Sequence, residues 1–160
     1  MTTGTSNAFH EFLESDVVSL QAFNSTHVFK VHKALLDAKC EVIASAFNSN
    51  FTEGRSRVYT FSDSSEDTLA RFLEWAYRGD YAEPVVKHLD KTTDQAKKAH
   101  ASDQLESLDH PLVAHMALLI FSEKYIVPKL RDFVFAKIKV AIQVMNKPYT
   151  ANDRLVLSLS

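Results

Sequence analysis

The stretch Phe29-Lys30-Val31-His32-Lys33-Ala34-Leu35-Leu36 changes its hydrophobic period halfway along. Phe29 and Val31 alternate with polar neighbours, as in a half-buried strand, whereas the apolar residues after Lys33 follow the spacing of a helix. The pattern predicts a strand that leads directly into a helix. His32 stands at the junction, where a hydrogen bond to the backbone would fix the corner. This interpretation makes His32 a structural residue and not a catalytic one.

The residues before this stretch predict the partner strand of a hairpin. Residues 16–23 are rich in β-favouring side chains, and Asn24-Ser25-Thr26 supplies the turn. Residues 1–14 are interpreted as a flexible N-terminal arm. Three apolar residues in this arm have the spacing of one stripe on a short helix: Phe9, Phe12 and Leu13.

Helical and extended patterns alternate further along the chain. Residues 33–47 fit either one bent helix or two short ones, and Arg57–Phe61 alternates as a third strand. The next helix has Asp63 or Ser64 as its cap and a wide apolar stripe. Gly79 stands where a left-handed residue would end that helix.

The second half of the chain begins with a change in composition. Residues 83–109 contain ten charged side chains among 27 and no aromatic one, which predicts a polar insertion. Asp109-His110-Pro111 predicts a helix start, and Val127-Pro128 starts a last helix that is apolar on two sides. Such a helix is either central or shared with a partner. Residues 146–160 are interpreted as a C-terminal tail, in which Leu155-Val156-Leu157 could pair as a strand.

Length and composition exclude several classes of protein. With 160 residues, 46% hydrophobic and 24% charged, the chain fits one globular domain. A net charge of −2 gives no sign of nucleic-acid binding. The polar N-terminus does not resemble a signal peptide, and Met116 to Phe121 is the longest apolar run. We therefore expect no membrane association and an intracellular location, cytoplasmic or nuclear.

No sequence motif indicates catalysis. The chain has no nucleophile elbow, phosphate-binding glycine loop or zinc-protease motif. Cys40, the single cysteine, lies among apolar neighbours and is expected to be buried and inert. His110 and His115 are five residues apart, which is poor metal spacing on a helix, so His115 is interpreted as a core or interface residue. We expect no enzyme activity, cofactor, metal or small-molecule substrate.

The order of elements resembles the BTB/POZ domain. The residues that carry the resemblance are Ser15-Asp16-Val17-Val18, Phe29 to Leu36, Phe47, Phe51-Thr52-Glu53-Gly54, Leu73 to Tyr81, and Ala117 to Leu130. The resemblance implies an α+β fold, with a small three-stranded sheet flanked by a cluster of about five to six helices. It assigns residues 15–145 to the domain, with the insertion at 83–109, and is nearest in type to the stand-alone BTB proteins common in fungi.

The resemblance also implies a function in binding. BTB domains are protein-interaction modules and often homodimers, so the chain is expected to pair with itself as a scaffold or recruitment adaptor. Asp16 and Lys33 match a charged pair at the dimer interface of some members; the alternative is a strand-end carboxylate and a surface lysine. Residues 1–14 supply no extra strand for exchange between protomers, unlike those members.

A second role in the family is the cullin-binding adaptor of a ubiquitin ligase. Phe51 and Glu53 match the hydrophobic–x–Glu motif of such adaptors, in which an exposed phenylalanine would serve as an anchor. The alternative is that Phe51 packs onto the body while Glu53 faces solvent. Other protein partners are not identified by the sequence.

Overall fold

The computed structural model describes residues 8–83 and 110–146. The described part contains three strands, β1 (Val17–Gln21), β2 (Val28–His32) and β3 (Val58–Thr60). Its helices are α1 (Ala8–Glu14), α2 (Lys33–Lys39), α3 (Glu41–Asn48), α4 (Thr52–Ser56), α5 (Glu66–Arg78), α6 (Pro111–Lys124) and α7 (Pro128–Met145). The described residues thus contain seven helices, whereas about five to six were expected. The predicted insertion, except Glu83, and the predicted tail, except Asn146, lie outside the described residues.

The sheet has the order β2-β1-β3, with β1 in the centre. β1 and β2 form the predicted hairpin and pair antiparallel, with Val17 opposite His32. β3 pairs parallel to β1, with Ser19 opposite Val58. The third strand is therefore confirmed, although it is shorter than the predicted Arg57–Phe61 and runs in the same direction as β1.

The corner between β2 and α2 is held by a side chain from another helix. The hydroxyl of Tyr77 accepts the backbone N–H of His32 at 3.1 Å and lies 2.8 Å from Nδ1 of the same ring. The backbone N–H of Lys33 donates to the Asp16 carbonyl at 2.7 Å. His32 is structural, as predicted, but its ring contacts a hydroxyl from α5 and not the backbone.

Residues 33–48 form two helices that meet at Cys40. Cys40 has φ −146° and ψ 88°, which no helical residue adopts. Its N–H donates to the Leu36 carbonyl at 2.8 Å, and its own carbonyl accepts the N–H of Ala44 at 3.1 Å. Cys40 is thus the C-cap of α2 and the N-cap of α3. Of the two predicted alternatives, one bent helix or two short ones, the structure has two short helices.

Helix α5 begins later than its predicted cap. Ser65 is the N-cap, and its Oγ accepts the backbone N–H of Thr68 at 3.2 Å, so the prediction of Asp63 or Ser64 is wrong. Asp63 instead forms an ion pair with Lys124 on α6. The hydrogen bond from that ammonium lowers the pKa of Asp63 below its usual value. At the other end, Gly79 adopts φ 80°, as expected for a left-handed stop.

Helices α6 and α7 form an antiparallel hairpin. α6 begins at Pro111, within the predicted helix start, and His110 is its N-cap, whose Nδ1 accepts the N–H of Leu112 at 3.2 Å. Ile126 joins the two helices in the left-handed region, at φ 53°. One side of α7 is buried through three residues: Leu130, Val134 and Ile138. Its other side is exposed.

The core is centred on aromatic rings from the end of β3 and from helices α5 and α6. Phe61 is fully buried and lies 5.7 Å from the ring of Phe121 and 5.2 Å from that of Tyr125. Phe72 approaches Phe121 to 4.9 Å. Such offset and edge-to-face contacts add to the burial of large apolar side chains. The cluster joins the sheet to the C-terminal helices.

Candidate interaction surfaces

Asp16 and Lys33 lie at the junction of β1 with α2, and each forms an ion pair with a different residue. Asp16 Oδ2 lies 2.6 Å from the Arg57 guanidinium, and Lys33 Nζ lies 2.9 Å from Asp37 Oδ2. The backbones of Asp16 and Lys33 are hydrogen-bonded, whereas the structure records no ion pair between their side chains. The two predicted residues are therefore brought together as members of two neighbouring ion pairs.

Two exposed apolar side chains lie close to Asp16 in the chain. Leu13 at the end of α1 is 54% exposed, and Val17 at the start of β1 is 51% exposed. Phe12, between α1 and the core, is partly buried and anchors the helix. The short helix predicted around these residues is thus present as α1. Ser15 caps the turn, because its Oγ donates to the Phe12 carbonyl at 3.0 Å.

Phe51 and Glu53 lie on the turn between α3 and α4. Phe51 is the N-cap of α4 and is 74% exposed, so it does not pack onto the body. The carbonyl of Glu53 accepts the N–H of Arg57 at 2.9 Å, and its side chain is half-buried in the first turn. The structure thus places an exposed aromatic ring and a carboxylate within one helical turn.

Gly54 allows α4 to approach the end of α3 this closely. A Cβ atom at Gly54 would overlap the backbone carbonyl oxygen of Ser49 and lie 3.2 Å from that of Phe47. Backbone atoms cannot move aside as a flexible side chain can. The glycine therefore permits α4, which Phe51 caps, to lie against the end of α3.

Tyr59 extends this surface toward the core. Its ring lies 6.3 Å from Phe47 and 4.8 Å from Phe61. Burial, and then the negative charge of Glu53, raise the pKa of the Tyr59 hydroxyl above its usual value. Tyr59 is therefore a neutral hydroxyl beside Glu53 near pH 7.

His115 and Tyr81 form a buried polar pair that the sequence does not predict. His115 on α6 is 1% exposed, and its Nδ1 lies 2.7 Å from the hydroxyl of Tyr81. Its Nε2 has no hydrogen-bond partner among the described residues and lies 3.8 Å from the Glu83 carboxylate. Burial lowers the pKa of His115, so the ring is neutral near pH 7. His115, predicted as a core or interface residue, is a core residue, and its partner Tyr81 is 34 residues away in the sequence.

The thiol of Cys40 is held in an environment that disfavours its reaction. Cys40 is buried, and its thiol donates to the Tyr125 carbonyl at 3.5 Å. Burial raises the pKa of the Cys40 thiol and disfavours the nucleophilic thiolate. Within residues 8–83 and 110–146, no group of three His, Cys, Asp or Glu side chains could hold a metal ion. None of the helices α1 to α7 in the described residues has the length and apolar character that crossing a membrane requires.

A model of the BTB/POZ domain matches residues 7–110, which is more than half of the chain. The chain belongs to the BTB/POZ family. The match begins at α1 and ends at the N-cap of α6, so α6 and α7 lie beyond it. The three-stranded mixed sheet and its helices agree with the α+β fold of this family.

Two curated relatives are similar over a short segment. They are the Rho-related BTB domain-containing protein 3 of Homo sapiens and its namesake in Mus musculus. Each is 41% identical over 46 residues, which is 29% of this chain and 8% of the relative. The BTB/POZ chain thus covers a small part of these relatives' length. Membership in the family assigns it a role as a protein–protein interaction module.

Proposed function

We propose that this BTB/POZ chain forms a homodimer that acts as a scaffold or recruitment adaptor. The observation that carries the proposal is the pair of exposed apolar residues, Leu13 and Val17, on either side of Asp16. Apolar side chains rimmed by charged groups are typical of protein interfaces. The proposal places the chain in the cytoplasm or nucleus, where the thiol of Cys40 would stay reduced.

The charged residues would contribute to specificity more than to affinity. Asp16 and Arg57 are exposed in the single chain, where such pairs contribute only about 0–1 kcal/mol. Burial against a second copy would desolvate these pairs and the Lys33–Asp37 pair beside them. A misaligned partner would then leave a charge without its counterpart, which costs more than a well-paired one gains.

The test is the solution mass by light scattering over a concentration series. A mass of twice 18.0 kDa is expected at high micromolar concentration. Leu13→Asp is expected to shift the chain to monomer because it places a carboxylate in the apolar contact. The matched control is Ile120→Asp, on an exposed apolar residue of α6, which should remain dimeric. A monomer at every concentration overturns the dimer, and equal effects of the two variants overturn the assigned surface.

We propose cullin binding as a second candidate function. The exposure of Phe51, with Glu53 in the first turn of α4, favours it because an exposed aromatic ring with a polar neighbour makes an effective anchor. Phe51→Ala and Glu53→Ala are each expected to abolish binding to a cullin N-terminal region without lowering thermal stability. Arg55→Ala, on the same helix, is the control and should bind as the unaltered chain does. Unchanged binding by both test variants would refute the role of the motif.

A further inference from the structure

A groove of about 520 Å³ lies along the C-terminal half of α7, beside the first turn of α6. Most of the residues that line it are apolar, and they include Leu112, Phe133, Val140, Val144 and Met145. The last three of these are more than half exposed. An apolar concave surface with a few polar groups at its rim is typical of a binding site.

The groove runs along a helix, which decides the kind of segment that can fill it. Between Phe133 and Ala141 the backbone N–H and C=O groups of α7 are paired within the helix. An extended segment on this face would find no backbone partners there, and unpaired backbone groups away from water are costly. A helix pairs its own backbone groups and presents only side chains, so the wall formed by α7 favours a helical occupant.

The length of the groove fits about three turns of such a helix. The groove follows α7 from Phe133 to Met145, which is about 18 Å at the rise of an α-helix. An apolar stripe at the spacing i, i+4, i+7, i+11 spans the same distance. Ala136 and Ala141 also line the groove, and their small side chains permit a close approach between two helices.

One end of the groove carries an excess of negative charge. Lys137 Nζ lies 2.9 Å from Asp80 Oδ1 and 3.7 Å from Glu83 Oε1, so two carboxylates share one ammonium. Glu83 and Lys137 line the groove, whereas Arg71, another cation near this cluster, does not. A positive charge on the occupant would complement this end.

Hydrogen bonding at the same end is incomplete among the described residues. Glu83 Oε1 lies 3.8 Å from Nε2 of the buried His115, and both this distance and the one to Lys137 exceed that of a hydrogen bond. Nε2 has no partner in the described part of the chain, although buried polar atoms are almost always paired. In the tautomer whose Nδ1–H donates to the Tyr81 hydroxyl, Nε2 is an acceptor. Nε2 and Glu83 are then two neighbouring acceptors, which suit a cationic N–H group.

We propose that this groove binds a helix of a partner protein. The helix has an apolar stripe along one face and a lysine or arginine at the end that meets Glu83. A protein partner agrees with membership in a family of protein–protein interaction modules. The groove on α7 is a different surface from Leu13 and Val17, so the proposal does not depend on the homodimer.

Binding of designed helical peptides to the full chain, measured by fluorescence anisotropy, tests the proposal. The peptides have about 14 residues, with leucine at the i, i+4, i+7 and i+11 positions of an alanine-rich helix. They differ only in one end residue, which is lysine, glutamine or glutamate. The lysine peptide is expected to bind at least about tenfold more tightly than the glutamate peptide. Absence of binding by every peptide would overturn the proposal.

Two positions on α7 locate the site. Val140→Glu is expected to abolish binding of the lysine peptide, because it places a carboxylate on the apolar wall. The matched control is Ile142→Glu, since Ile142 is exposed on α7 but does not line the groove. Val144→Glu repeats the test at a second lining position, and melting temperatures verify that each variant is folded. Equal losses in Val140→Glu and Ile142→Glu would show that the groove is not the site.

A charge exchange tests the acidic end. Glu83→Lys is expected to reverse the preference, so that the glutamate peptide binds more tightly than the lysine peptide. Glu123→Lys makes the same change of net charge at the other end of α6 and should leave the preference for lysine unchanged. Equal affinities of the lysine and glutamate peptides for the unaltered chain would refute the pairing with Glu83. A dimer that Val140→Glu dissociates would assign the groove to a second copy and would also overturn the proposal.

Discussion

Tyr81→Phe removes the only hydrogen bond that the described residues give to the ring of His115. The ring is buried, and its Nε2 has no partner among those residues, so the variant leaves both ring nitrogens unsatisfied. Leaving a buried polar group without its partner costs about 1–3 kcal/mol. For a chain of this size, a loss of 1 kcal/mol lowers the melting temperature by about 3 °C. We therefore expect a decrease of about 3–9 °C.

Urea denaturation with a matched control separates this effect from the loss of a hydroxyl in general. Tyr77→Phe also removes a hydroxyl that contacts a histidine, but at an exposed position, and should cost less than about 1 kcal/mol. Adding His115→Leu to Tyr81→Phe is expected to recover part of the loss, since no polar nitrogen then remains unpaired. If Tyr81→Phe and Tyr77→Phe have equal midpoints, the reasoning about the buried pair is wrong.

Three further predictions concern the pH response and two backbone positions. The pKa of His115 is lowered in the fold, so the unfolded chain binds more protons as the pH falls. The contribution of His115 to stability should therefore decrease as the pH drops below about 6.5. Denaturation midpoints measured against pH test this, because the decrease should disappear in His115→Gln. Gly54→Ala is expected to lower the free energy of unfolding by more than about 1 kcal/mol, because its methyl group meets the Ser49 carbonyl. An unchanged Tm would contradict the close approach. Ile126 is 69% exposed at φ 53°, so Ile126→Asn should raise stability by about 1 kcal/mol in urea titration; a lower midpoint would show that the side chain is needed.

The parts of the fold that the sequence predicts are those with local signals. The hairpin, the strand-to-helix change at His32 and the stop at Gly79 depend on residues within a few positions of one another. The predicted cap of α5 is wrong because Asp63 is a good capping residue by type, but its carboxylate forms an ion pair with Lys124 on α6 and does not cap the helix. The break at Cys40 has no glycine or proline to mark it, so only the packing of α2 and α3 decides it.

The candidate surfaces show the same division between local and distant information. The spacing of Phe51 and Glu53 is visible in the sequence, but the exposure of the ring depends on how α4 sits against α3. Similarly, nothing near His115 indicates that Tyr81 is its partner, because the two are joined only when α6 packs beside the turn after α5. Contacts between residues far apart in the chain depend on the assembled fold and have no signal in hydrophobic period.

The position of β1 in the centre of the sheet has a consequence for how the chain folds. The β1–β2 hairpin joins neighbouring segments and can close in microseconds. The other edge of β1 can pair only with β3, which follows about 40 residues later, after α2, α3 and α4. A nascent chain therefore presents an unpaired strand edge until residue 60 has been made, and an unpaired edge is a site of aggregation. Variants that delay α2 to α4, such as Gly54→Ala, should lower the yield of refolding more than their equilibrium stability implies.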